Sequence, residues 1–123
     1  MTEKEQPLFV MAQPETFDWP VRVPVPVDGK YRFAEFTGTF PNLDEEEVQK
    51  LLANDAQGRP TRKDIDVAAD VLLGFAGLRT PAGGEFPFTA ENKAALLNGK
   101  RVAGAVLQTF LLAVRGLASE KNS

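Results

Sequence analysis

The sequence predicts an α+β fold: an N-terminal antiparallel β-hairpin followed by about four α-helices, the last one long and centrally packed. Three observations carry this. Apolar residues alternate with period two before residue 41, helix-capping patterns recur after residue 43, and strand patterns do not alternate with helical ones. Strands that precede helices in this way exclude a parallel doubly wound sheet. With 123 residues and 43% hydrophobic content, the chain can build one compact core. The expected layout is a flexible leader or short edge strand over residues 1–18, a single domain over 19–118 and a disordered tail over 119–123.

The leader mixes charge with the apolar run Leu8-Phe9-Val10-Met11-Ala12, which Pro14 ends. Val21, Val23, Val25 and Val27 then alternate with Arg22, Pro24 and Pro26, the pattern of a β-strand. Its two prolines remove ladder donors from one side of the backbone, so this is an edge strand or partly polyproline-like. Asp28-Gly29 marks a tight turn, because Gly29 takes positive φ without steric cost. The return strand runs from about Lys30 to Phe40. Its aromatics change parity, from Tyr31 and Phe33 to Phe36 and Phe40, close to Gly38. Either a β-bulge or a strand with apolar material on both faces produces that switch. A hairpin of this kind covers the helices, or offers aromatic surface to a partner.

Asp44 and Glu47 form a capping box, with Leu43 and Val48 as the hydrophobic staple, so a helix starts at once and ends near Asn54. Glu45, Glu46 and Glu47 place negative charge at the positive end of its dipole, which accounts for the acidic cluster without a metal ion. After the Gly58–Pro60 loop, Thr61 caps a second helix with apolar positions at Ile65, Ala68, Ala69, Leu72 and Ala76. Residues 77–87 form a bent connection, anchored by Phe86 and Phe88 on either side of Pro87. Thr89 caps a third helix that Gly99 stops in the left-handed conformation.

The last helix is expected over residues 101–118. At 100° per residue, its apolar side chains from Val102 through Phe110, Ala103 and Leu107 to Leu111 fill an arc of about 180°, wider than the roughly 100° one core requires. The helix therefore packs on two sides, and self-association is expected. Phe110 and Ala103 mark the core side. Leu107, Leu111 and Ala118, on the flank, are the candidate partner-binding residues, with Tyr31, Phe33 and Phe36 of the hairpin as the second candidate surface.

The chain contains no His and no Cys, and its only serines are Ser119 and Ser123. That removes the common general base, the thiolate nucleophile, a Ser–His triad and the side chains of ordinary zinc sites, so no catalytic, cofactor or metal residue is assigned. Asp64, Asp66 and Asp70 do not make a calcium loop, since Ala69 and Phe75 stand where the EF-hand needs Gly and Glu. Gly83-Gly84 lacks the Gly-Lys-Ser/Thr of a phosphate loop. A net charge of −3 argues against nucleic-acid binding, and Arg59, Arg62 and Lys63 read as solvating charge. No run of 18 apolar residues is present to span a membrane, and the polar start, Met1 to Gln6, does not fit a standard secretory signal.

The order of short motifs resembles the C-terminal half of tail assembly chaperones of long-tailed (lambda-like siphovirus) bacteriophages and prophages. The elements are Pro87-Phe88-Thr89-Ala90-Glu91-Asn92, Leu96-Leu97, the alanine-rich 101–118 helix and Lys121-Asn122. Upstream, Asp64, Asp66 and Asp70 run into Leu72-Leu73-Gly74-Phe75-Ala76-Gly77-Leu78, with Phe75 where the family usually has tryptophan. The resemblance covers roughly residues 20–122. It implies a non-catalytic factor of the host cytoplasm, absent from the mature virion. Such a factor binds the tape measure protein, keeps its hydrophobic helices soluble and helps recruit tail tube (major tail) protein. A longer form made by ribosomal frameshifting is common in that family. The alternatives are a structural subunit of a phage tail or head-tail connector, and a small regulatory or antitoxin-like partner protein.

Overall fold

The structure is a computed structural model, and it describes residues 13–118. The expected strand or leader over residues 8–12 and the expected disordered tail over 119–123 lie outside the described residues. The fold is α+β, with a three-stranded antiparallel sheet in the order β1-β2-β3 and four helices. Strand β1 (Thr16–Val27) is five residues longer than its valine alternation suggests, and β2 (Lys30–Pro41) pairs with it along its whole length, from Thr16 opposite Pro41 to Val27 opposite Lys30. Asp28 and Gly29 join them with φ of 50° and 83°. Two positive φ values make the type I′ turn whose twist matches a hairpin.

No bulge interrupts this register. The parity switch instead puts Phe36 and Phe40 on the helix-covered face, beside Val21 and Val23, and Tyr31 and Phe33 on the opposite face. Phe36 is 4% exposed and is a core residue, so it is removed from the candidate binding surface.

Helix α1 (Glu45–Leu51) starts on the expected capping box, the Glu47 amide donating to Asp44 Oδ1 (2.8 Å) and the Asp44 amide to Glu47 Oε1 (3.0 Å). It ends three residues before Asn54. Helix α2 (Asp64–Val71) is not capped by Thr61; its N-cap is Lys63, and the Thr61 hydroxyl donates to the Ala53 carbonyl at 2.9 Å, closing the preceding loop. The expected continuation to Ala76 is also corrected. Leu72 turns extended, the Leu73 amide donates to the Thr39 carbonyl, and β3 (Gly74–Ala76) pairs with Thr37–Thr39. A three-residue strand shows no period-two pattern, while burial of Phe75 against Phe36 and Phe86 rewards the pairing.

Helix α3 (Ala90–Leu97) takes its expected cap, the Asn92 amide donating to Thr89 Oγ1 at 3.0 Å. Gly99 is not the left-handed stop. A Cβ there would come within 3.0 Å of Val102 Cγ2 and 3.1 Å of the Leu96 carbonyl, and the left-handed residue is Arg101, φ 65°. Helix α4 (Val102–Val114) is the longest, yet four residues shorter at its C-terminus than expected. Gly116, at φ 73°, closes a Schellman motif: its amide donates to the Ala113 carbonyl and that of Leu117 to the Leu112 carbonyl.

One core joins the elements. Val21, Val23, Phe36 and Phe40 of the sheet meet Ala68, Val71 and Leu72 from α2 and its end, Leu97 of α3, and Val102, Val106 and Phe110 of α4. The Phe40 and Phe110 rings lie 5.8 Å apart, and neither is exposed. Below the connection, Phe86 and Phe88 both contact the ring of Phe75, at 5.9 and 5.0 Å, which is the anchoring expected of that pair.

Candidate functional site

The site grows from the edge strand. Pro20, Pro24 and Pro26 share one backbone orientation in β1, and having no N–H they could not serve a ladder on that side. The side they face is the open edge of the sheet. The Pro24 carbonyl there accepts from Nε of Arg101 at 2.8 Å, which ties the edge to the start of α4. The left-handed backbone at Arg101, outside the helix, precedes α4 directly.

Along the β1 edge of the sheet, beside the exposed side of α4, runs an open groove of about 1110 Å³. Its sheet wall is Trp19, Pro20, Arg22, Pro24, Phe33 and Glu35, and its helix wall includes Arg101, Gly104, Gln108 and Leu112, with Ala118 beyond the helix end. Arg22 lies over the Phe33 ring, 4.1 Å from its centroid, and stands opposite Glu35 in register. Phe33 is 49% exposed and Leu112 38%, so apolar surface borders the groove on both walls. Gly104 leaves the helix wall low, since a Cβ there would meet nothing within 4 Å.

Elsewhere four ion pairs form among the described residues, one of them Lys50 with Glu46. Arg115 donates to both oxygens of Glu45, 3.1 Å each, and joins the end of α4 to the start of α1. Those bonds, with a further one from Gln49 Nε2 at 2.7 Å, hold the Glu45 carboxyl below its usual range. Arg62 pairs with Asp70 at 2.7 Å and Arg59 with Asp55 at 3.5 Å, so two of the three cations read from sequence as solvating charge sit beside carboxylates. Among the described residues, no three acidic side chains gather as a metal site.

The residues singled out from sequence do not form one surface. Phe33 and Ala118 line the groove. Tyr31 is 64% exposed near the hairpin turn and lines a smaller hollow of about 330 Å³ with Pro26 and Asp28. Leu107 and Leu111 are half-buried against the core cluster. The groove uses the side of α4 opposite the apolar arc, where Gly104, Gln108 and Leu112 stand. The signal for it was Leu112 recurring one turn apart from Gln108 and Gly104, a row too small and mixed to read as a stripe. Comparison with known protein families, curated proteins and solved structures gives no match.

Proposed function

We propose that this protein is a non-catalytic tail assembly chaperone, which binds the tape measure protein in the host cytoplasm and helps recruit tail tube subunits. The observation that carries the reading is the groove beside α4, with apolar surface on both walls in a chain without His or Cys. A chaperone for hydrophobic helices needs such a surface, while an enzyme needs titratable groups converging on a cleft. On this reading the last helix is the spine of the molecule, one side in the core and the other facing the partner. The resemblance in the order of motifs over roughly residues 20–122 supplies the identity of that partner.

The test is co-expression with a tape measure protein of the same genome. The expected result is that tape measure protein stays soluble and is captured with this chain, and that purified particles lack the chain by mass spectrometry. Insoluble tape measure protein, or the chain present at stoichiometric level in particles, would overturn the reading.

A further inference from the structure

The partner surface can be taken further, from its location to the kind of segment it accepts. Three features of the groove restrict the occupant. First, the β1 edge beside it refuses strand addition. Pro20, Pro24 and Pro26 offer no donors, and the Pro24 carbonyl is already satisfied by Arg101. A docked segment therefore gains no ladder bonds and must satisfy its own backbone, as an α-helix does. Second, Gly104, Gln108 and Leu112 recur once per turn along the helix wall, and the missing side chain at Gly104 lets another backbone approach. Such a ridge with a low point is the relief against which a second helix packs. Third, the walls carry two guanidiniums, Arg22 and Arg101, and one carboxylate, Glu35, in a protein of net charge −3. Among the described residues neither arginine forms an ion pair: Arg22 lies on the Phe33 ring and Arg101 donates to a neutral carbonyl. The local sign is opposite to that of the whole chain.

We propose that the groove receives an amphipathic α-helix of a partner protein, seated by its apolar face between Phe33 and Leu112, with acidic side chains on its flank meeting Arg22 and Arg101. This rests on the groove being the partner surface, and not on the partner being the tape measure protein.

Trp19 lines the groove and is the chain's single tryptophan, so its emission reports occupancy directly. The probes are synthetic peptides of about 20 residues, long enough for a helix to form on binding. One is an amphipathic helix with a Leu/Ala face and glutamates on the flank, and a second carries lysine in place of each glutamate. A third is an alternating Val/Glu strand former, and a fourth is proline-rich. The glutamate helix is expected to change Trp19 emission saturably and to bind at least about tenfold more tightly than each of the others, a factor readily resolved by titration. Gly104→Leu fills the groove from a position where a side chain meets open space, and should melt no lower than the parent while losing at least about tenfold in affinity for that peptide. Arg22→Gln should narrow the gap between the glutamate and lysine peptides.

Equal binding of the lysine, strand or proline-rich peptide, no response at Trp19, or full affinity in a folded Gly104→Leu variant would each overturn the proposal. Capture of tape measure protein separates the two readings. If Gly104→Leu still captures it, the groove is wrong and the chaperone reading stands. If the parent binds the glutamate helix yet captures no tape measure protein, the chaperone reading fails and the groove stands.

Discussion

Gly38 is the position where the fold has least room. It lies in the central strand β2, opposite Trp19 on one side and Phe75 on the other. A Cβ at this position would sit 2.9 and 3.0 Å from two ring atoms of Phe40 and 3.1 Å from Leu72 Cδ1. Neither neighbour has anywhere to go, because Phe40 and Leu72 are both 0% exposed and Phe40 also packs on Phe17 and Phe110. Overpacking a closed core costs about 1–3 kcal/mol. Replacing glycine in a strand returns roughly 0.5–1 kcal/mol of backbone entropy. Gly38→Ala should therefore destabilise the protein by roughly 0.5–2 kcal/mol, and each kcal/mol lowers the midpoint of a domain this size by about 4 °C. Gly74→Ala is the matched control. It also lies in the sheet, but its nearest atoms belong to the Thr39 side chain at 3.5 and 3.6 Å, an ordinary contact. Thermal melts followed by circular dichroism should show Gly38→Ala below the parent and Gly74→Ala close to it. If Gly38→Ala melts at or above the parent, Phe40 and Leu72 can yield after all, and the close-packed description of the sheet–helix junction is wrong.

Phe110→Ala empties the centre of the core and should cost about 3–5 kcal/mol, whereas Leu111→Ala, at a half-buried position, should cost about half as much; equal losses in denaturant titrations would contradict the orientation of α4. Asp44→Ala removes the capping box of α1 and should cost about 1 kcal/mol by the same measurement, with no loss pointing to a helix start elsewhere. The Arg115–Glu45 pair has a defined pH signature, because the carboxyl is held below its usual range in the folded state. A depressed carboxyl pKa gives stability that is complete above the unfolded value and is lost as pH falls through the folded one. The midpoint difference between parent and Glu45→Gln should thus be present at neutral pH and vanish in acid; a difference that persists in strong acid would mean that charge is not its origin.

Much of the fold was legible because local chemistry and tertiary packing ask for the same thing. The Asp28-Gly29 turn, the Asp44–Glu47 box and the Thr89 cap are short-range hydrogen-bond and backbone-angle requirements, and each appears where the residues place it. The errors arise where a distant partner decides. Thr61 could cap a helix, but the Ala53 carbonyl claims its hydroxyl. The helical spacing of Leu72 and Ala76 continues past Val71, yet burying Phe75 between Phe36 and Phe86 draws residues 74–76 into the sheet. Gly116 is different: it ends α4 as a local stop, which the apolar periodicity on either side of it masks in the sequence.

The groove was hidden for a different reason. Hydrophobic periodicity finds surfaces that must be covered, and on α4 it finds the core: Val102, Val106 and Phe110 are buried, and Leu107 and Leu111 lean on the same cluster. A surface shaped to receive another chain is written in what is missing. Gly104 has no side chain to fill the gap, and the prolines of β1 have no amides to offer another strand. The parity switch from Phe33 to Phe36 was the one legible trace of it. A strand that is aromatic on both faces has covered one of them with its own helices, which leaves Phe33 and Tyr31 exposed on the other. In a domain this small, every residue kept small, kinked or apolar on the outside is withheld from the core. The run of such residues along one edge is therefore the strongest physical reason to regard that edge as the working surface.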